Sequence, residues 1–513
     1  MLSYDSLANN EKISAYKSKN YIVFFWKNAV EGKAMQVIQT IHLILWGPWT
    51  LLLFLGTGFF FFVRSGGFPV RRFGYWWHHT AGSIWKEEGE QQKKEKKQKE
   101  SVTVFQSACT ALAATIGTGN IVGVATALTA GGAGALFWMW VSALLGMATA
   151  YAETSLGQKF RFRKENGSWI CGPMIYMEKG LSCPFLGIFY AGAACLASLG
   201  MGSMVQANSI QETLEYGFGI PPVLGALMIG GCCGLVILGG AKRIARVSEW
   251  LMPVAAGSYL LFSLAVIGMC LPQLPAVFAE ILKEAFCPEA VGGGITGILF
   301  SKSVRYGMAR GVFSNEAGLG SLAVLHGVAD ETTPQQQGMW AMFEVFFDTV
   351  IVCTLTGLMI LCVQRQEGGN LSQIGDGAVL AVWCFREKLG IIGELLVSLS
   401  MIVFAFATII AWYYMGEQNV QYLCMRMHIR KKQEHRDMYG EMNKTDKKEN
   451  VYKLLYLCSV CAGALCRLDL IWALADLCNA LMAYPNLLSL WMLSGYVRFP
   501  ETNQSENQNI NQI

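Results

Sequence analysis

Thr115-Ile116-Gly117-Thr118-Gly119-Asn120 interrupts an apolar run at a point where a helix would be expected to continue. Upstream stands Ser107-Ala-Cys-Thr-Ala-Leu-Ala-Ala and downstream Ile121-Val-Gly-Val-Ala-Thr-Ala-Leu. Each half is too short to cross a hydrocarbon core of roughly 30 Å, and the two together are long enough. The stretch therefore reads as one spanning helix with an unwound centre. Non-helical backbone at membrane depth survives only where protein buries it or where it lines a cavity, and such breaks offer carbonyls and helix ends to substrates and ions. A plain packing face of small residues is the alternative on residue types alone.

The rest of the chain sets the context. Of its 513 residues 53% are hydrophobic and 15% charged, with mean hydropathy +0.36, so it reads as an all-α polytopic membrane protein. Sixteen cysteines lie mostly inside apolar runs, where cysteine acts as a small hydrophobe. The one CxxC spacing, Cys458 to Cys461, has no second pair beside it and makes a weak case for a metal or redox site.

Hydropathy predicts about 11 transmembrane helices. Residues 1–34 form a polar lead-in, 35–63 a first helix, and 64–103 a basic loop ending in Lys93-Lys-Glu-Lys-Lys-Gln-Lys99. That loop reads as solvated and cytoplasmic rather than as a nucleic-acid patch. A broken helix follows at about 104–129, then helices near 133–158, 184–206, 222–239, 249–271, 289–312, 338–363, 391–415, 451–466 and 469–497, with a polar tail at 498–513. Nine Lys or Arg residues in 64–102 and eight in 415–450 contrast with none in 129–132 or 207–221. The positive-inside rule then puts the N-terminus outside and the C-terminus in the cytoplasm of a cell membrane, plasma or inner. Gly292-Gly-Gly-Ile-Thr-Gly297 offers a second break, with a plain extracellular turn as the alternative. Set the first helix aside, and each break opens a set of five helices, 104–271 and 289–497, of opposite orientation. Two interrupted segments in corresponding positions point to a secondary transporter with inverted repeats and a site near the midplane.

Longer motifs carry a resemblance. Phe105 to Thr126, Phe137 to Thr149, Met204 to Ser209, Asp469 to Asn486 and Arg305-Tyr-Gly-Met-Ala-Arg-Gly-Val-Phe-Ser-Asn-Glu-Ala-Gly-Leu-Gly320 resemble the alanine or glycine:cation symporter family, the sodium:alanine symporters. The resemblance spans roughly residues 45–497. It implies a leucine-transporter-type fold of five-plus-five inverted repeats preceded by one extra helix, and import of a small neutral amino acid, alanine or glycine above all, coupled to sodium. Coupling to a proton, and selectivity for glutamine or serine, are the neighbouring alternatives.

An amino-acid zwitterion needs two opposite partners. Freed N–H groups after a break suit its carboxylate, and freed carbonyls suit its ammonium. The resemblance puts Thr118, Gly119, Asn120, Gln206, Ile295, Thr408 and Trp412 at the substrate. It puts the carbonyls of Ala113 and Ile116, with Asn120 and Thr408, at sodium. Gln206 could instead make a plain interhelical bond, and Trp412 could be a simple interfacial aromatic. Two positions depart from the family pattern: Ile295, where an aromatic often stands, and Ala407, where a hydroxyl residue precedes the matched threonine. Intramembrane Glu153, Glu344, Asp348 and Asp476 are functional candidates by default. Asp348 or Asp476 could carry a coupling proton, and pairing with Asn479, Arg467 or helix ends is the plainer reading. Arg305, Arg310 and Glu316 are expected at the cytoplasmic end of the helix at 289–312. An ion channel would want a repeated filter or a charged ring, and an enzyme a nucleophile–base pair or an HExxH motif. The sequence carries neither signature, so a transporter and not an enzyme is expected, with lipid and no nucleic acid as partners and the oligomeric state open.

Overall fold

A computed structural model describes residues 45–83, 102–164, 167–286, 302–330, 332–368, 371, 377–434, 442–466 and 468–500. Helix α1 is Pro48–Arg64, followed by short α2 (Phe68–Arg71) and α3 (Phe73–His78). The first broken span is α4 (Val104–Thr115) and α5 (Val122–Gly131), with a 3-10 turn at Thr118–Asn120 between them. There follow α6 (Gly134–Phe160), a two-residue hairpin of β1 (Phe162–Arg163) and β2 (Trp169–Ile170), and α7 (Pro173–Lys179). Helices α8 (Pro184–Ala197) and α9 (Gln206–Phe218) are joined by π-helix at Ser198–Val205. Next come α10 (Pro222–Ile237), α11 (Gly240–Met269) and α12 (Leu274–Ala285). The second half holds α13 (Lys302–Asn315), α14 (Ser321–Leu325), α15 (Pro334–Val345), a π-helical Phe346–Cys353 and α16 (Thr354–Glu367). It ends with α17 (Ala378–Glu434, kinked at Gly390), α18 (Met442–Leu465) and α19 (Leu468–Met492).

Among the described residues, five helices are long and apolar enough to cross a membrane, and α4 with α5 makes a sixth span bent by 58°. Large apolar side chains such as Phe59, Leu227, Leu261 and Leu264 stand exposed on α1, α10 and α11. In water such a belt would be a liability; in a bilayer it is the wetted surface. Inside, Ala113, Ile116, Val124, Leu136, Ile409 and Trp412 are fully buried.

Local chemistry starts and stops the first broken helix. Thr103 and Gln106 form a reciprocal capping box, each side chain bonding the other's backbone N–H at 3.1 Å. Helical geometry ends at Ile116 (ψ 93°) and Gly117 (φ −134°, ψ −153°), both extended.

Helices α13 and α14, with a break between them, form the counterpart in the second half, here called the second broken span, and run antiparallel to the first. The Ser303 hydroxyl bonds the Gly131 carbonyl at 2.6 Å, while the Ser107 hydroxyl bonds the Leu325 carbonyl at 3.1 Å. Start meets end in both cases, as an inverted repeat requires. Helix α6 lies along the whole of this second span. Gly307 and Gly311 press against Ala135 and Ser142, and Gly146 and Gly157 of α6 press against Ala317 and Ala323.

Several expectations shift. Residues 289–301, with Gly292–Gly297 and Ile295, lie outside the described residues, as do 1–44, Lys93–Lys99 and Arg467. Among the described residues, helical structure runs over Lys302–Asn315 and Ser321–Leu325 with a break at Glu316–Gly320 between them. Arg305 and Arg310 consequently lie in the half beside Gly131, not at the end beside Thr103, and Glu316 lies inside the break. The physical reason is that Lys302, Arg305, Arg310 and Glu316 lower the hydropathy of a helix that packs inside the protein. The loop at 64–103 also begins as packed helix, with Trp76 fully buried and its indole bonded to the Pro69 carbonyl.

Candidate functional site

In an unbroken helix the Gly117 N–H would bond the carbonyl of Ala113. Here it bonds the Asn120 side-chain oxygen at 3.0 Å, which releases the Ala113 carbonyl. The 3-10 turn returns the Asn120 N–H to the Gly117 carbonyl at 3.4 Å, and the N–H groups of Thr118 and Gly119 open the new turn as helix-start donors. Thus donors and acceptors of one short stretch become available together.

Two side chains, Gln206 and Thr408, converge on it. The Thr118 hydroxyl donates to the Gln206 amide oxygen at 3.1 Å, tying the break to the first residue after the π-helical Ser198–Val205. Thr408, on α17, donates its hydroxyl to the Phe404 carbonyl at 3.0 Å and lies so near Gly117 that a methyl there would come within 2.8 Å of its oxygen. Glycine at 117 is needed for that approach and not for its φ. Trp412, one turn further along α17, packs on the bare backbone of Gly202 and is fully buried. Ala407 is fully buried beside Thr408. Gly119 meets Phe313, whose ring carries the Arg310 guanidinium at 5.6 Å.

Asn120 faces the other way. Its amide nitrogen donates to Asp348 Oδ1 at 2.5 Å and to the Ser314 hydroxyl at 3.1 Å. Asp348 Oδ2 accepts from Ser314 and Thr349 at 2.7 and 2.8 Å. Asp348 lies in the π-helical stretch of the second half, an irregularity often found at functional sites. Each repeat therefore brings one π-helical segment to the first break.

The second break is built differently. Glu316, Gly318 and Gly320 all have positive φ, at 55°, 94° and 84°. The Glu316 carboxylate accepts from Ser321 at 2.6 Å and from the Trp412 indole at 3.1 Å. Glu153 of α6 accepts the N–H groups of Gly318 and Gly320, both at 3.1 Å, and the Asn486 amide at 2.9 Å. Glu344 joins the two spans: one oxygen accepts from Thr115 at 3.0 Å, and the other lies 2.8 Å from His326 Nε2.

Of the predicted residues, Ala113, Ile116, Thr118, Gly119, Asn120, Gln206 and Thr408 are thus on or beside the first break, whereas Trp412 packs on Gly202 and bonds Glu316 of the second. Ile295 lies outside the described residues. Asp476 stands apart: its carbonyl accepts the Trp46 indole at 2.8 Å, and the Asn479 amide turns to Met201. Sequence reasoning missed Ser314, Ser321, His326 and Asn486. The signal was present for the first two in Ser314-Asn-Glu-Ala-Gly-Leu-Gly-Ser321, where two glycines follow an acid.

Comparisons with known proteins give the same picture. A family profile described as the sodium:alanine symporter family matches residues 31–511. The sodium/alanine symporter AgcS of Methanococcus maripaludis is 35% identical over 93% of this chain and 99% of its own length. An uncharacterised transporter of Haemophilus influenzae is 38% identical, covering 88% and 92%. The probable sodium/glutamine symporter GlnT of Bacillus subtilis is 32% identical, covering 88% and 87%. A sodium-coupled sialic acid symporter, solved outward-open with substrate, has the same fold at TM-score 0.50 and 13% identity, over 84% and 82%. With a leucine-transporter-type fold and a profile match over nearly its whole length, the chain belongs to the sodium:alanine symporter family.

Proposed function

We propose that this secondary amino-acid transporter imports alanine or glycine together with sodium, by alternating access across a cell membrane. Its N-terminus is outside and its C-terminus cytoplasmic. The observation that carries the reading is the released backbone at residues 113–119, facing Gln206 and Thr408. The N–H groups of Thr118 and Gly119 take the substrate carboxylate, and Gln206 and the freed carbonyls take its ammonium. Trp412 closes one wall, which favours a small side chain.

Sodium, as co-substrate, is a hard cation that prefers oxygen, by analogy with calcium and magnesium. The carbonyls of Ala113 and Ile116, the Thr408 hydroxyl and the second lone pair of the Asn120 amide oxygen suit it. Ala407 adds no oxygen to that set, which makes for a weak sodium site.

A second reading, proton coupling, is favoured by Asp348, a carboxyl directly bonded to Asn120. Uptake of labelled alanine into proteoliposomes separates the two. Sodium symport gives saturable uptake that rises with an inward sodium gradient at clamped pH. Uptake that follows only an inward proton gradient gives the second reading. Competition by glycine, serine, glutamine and D-alanine in the same vesicles sets the substrate, and glutamine outcompeting alanine overturns the small-substrate assignment.

A further inference from the structure

Helix α1 precedes the first repeat and packs alongside α19. The two run parallel: the Trp46 indole bonds the Asp476 carbonyl, the Trp491 indole bonds the Thr57 hydroxyl at 2.8 Å, and Phe60 stacks on Trp491 with ring centres 4.4 Å apart. One hollow lies on this seam and a second beyond the ends of the two helices. The first is an open groove of about 610 Å³, almost wholly apolar, between Leu53, Leu186, Phe189, Tyr484, Leu488 and Trp491. The second, about 450 Å³ and largely polar, lies where both helices have ended, lined by Ser65, Gly66, Arg71, Arg72, Phe499 and Pro500.

Their depths are set by the second break. A methyl on Gly318 would come within 2.8 Å of Phe54 and 2.9 Å of Leu487, so the apolar groove begins at the level of the break, near mid-membrane. From Leu53 to Ser65 is twelve residues, or about 18 Å of helix at 1.5 Å per residue. One leaflet's share of the hydrocarbon is about 15 Å, half of the roughly 30 Å core. The polar hollow therefore lies where the phosphate layer of that leaflet would be. Exposed Arg71 and Arg72 line it, and exposed Arg64 directly precedes Ser65 of its lining. Exposed Phe73 and Trp77 follow, aromatic residues of the kind that anchor at this level.

We propose that the seam between α1 and α19 binds one anionic phospholipid, with its phosphodiester among Arg64, Arg71 and Arg72 and an acyl chain in the groove at Leu53, Leu488 and Trp491. Charge complementarity selects an anionic headgroup over a zwitterionic one, because a choline or ethanolamine cation would add to three arginines. The groove selects a lipid over a free anion, since only the lipid fills both hollows. Arginine suits the phosphate because its planar fork donates two hydrogen bonds at once.

The test is native mass spectrometry of the full chain in mild detergent, titrated with phosphatidylglycerol or phosphatidylcholine of the same acyl composition. The wild type is expected to hold one phosphatidylglycerol at least about tenfold more tightly, near 1.4 kcal/mol. The double variant Arg71→Gln/Arg72→Gln loses that preference, and Leu488→Trp, which fills the exposed groove, weakens retention of both lipids. Equal retention of both lipids by the wild type overturns the proposal. So does displacement of the lipid by millimolar inorganic phosphate together with indifference to Leu488→Trp, which marks a free-anion pocket. Dimers that form on removal of lipid and vanish in Leu488→Trp overturn it in favour of a second copy of this chain. Should the double arginine variant not fold, Arg64→Gln with Leu488→Trp decides the matter by the same readout.

Discussion

The two broken spans face each other in opposite directions, yet they are broken by different means. The first, at residues 116–120, carries no charged residue and needs no left-handed backbone; it is opened by an amide, Asn120, that takes over a helical hydrogen bond. The second, at residues 316–320, carries its own carboxylate and three positive-φ residues, and a second carboxylate, Glu153, clamps it from α6. Glu316 alone holds a conformation that costs a side-chain-bearing residue about 1–2 kcal/mol. Its bonds to Ser321 and Trp412 offset that cost. The lesson is one of division: the first break leaves backbone groups available to ligands, and the second spends its polar groups on holding shape.

The strongest way to break that contrast is Asn120→Ala. Without the amide, Gly117 regains Ala113 as partner and the stretch can rewind, so uptake is expected to fall at least about a hundredfold, near 2.7 kcal/mol. Wild-type flux from a well-expressed variant, counted with labelled alanine, would remove the first break from the site. Gly318→Ala is the counterpart in the second break. Its φ of 94° and the contacts with Phe54 and Leu487 predict a loss of about 2–4 kcal/mol in stability. Thermal melting in detergent reads this out, and an unchanged midpoint would mean that the second break is as soft as the first.

Gly117→Ala sharpens the comparison further, because its extended φ accommodates a side chain while its space does not. Here the stability read from melting should stay within about 1 kcal/mol of wild type while alanine affinity drops roughly tenfold, as Thr408 is pushed aside. Equal damage to melting and to affinity would contradict the division. The smallest effect is expected for Ala407→Ser, which offers a further oxygen near the released carbonyls. Half-saturating sodium for alanine uptake should fall by up to about tenfold at fixed pH. No change, with sodium still required, would show that residue 407 faces away from the ion.

The contrast also explains what could be read from the chain alone. Residues 115–120 were legible because glycine and threonine interrupt an otherwise uniform apolar run, and nothing charged hides the pattern. The second break was not, because Lys302, Arg305, Arg310 and Glu316 make a spanning helix look like a loop, whereas Gly292–Gly297 look like the better interruption. Hydropathy scores Glu316 as if it were solvated. Its desolvation is answered by Ser321 and by an indole 96 residues away, a pairing that only the fold brings together. Likewise Asp348 was visible as an intramembrane acid, but its partner Asn120 is 228 positions distant.

The glycine contacts along α6 have a mechanical consequence. Gly307 and Gly311 on one side, and Gly146 and Gly157 on the other, bring α6 and the second broken span together with little between them beyond backbone and the first side-chain atoms of Trp138, Ser142, Ala317 and Ala323. Such a seam has little soft layer to shear: a displacement of an ångström drives these short groups into backbone or opens a void, and close-packed interiors resist both. The two segments accordingly behave as one stiff beam, and relative motion in the molecule has to be taken up at its more compliant joints, among them the amide-latched bend at Asn120.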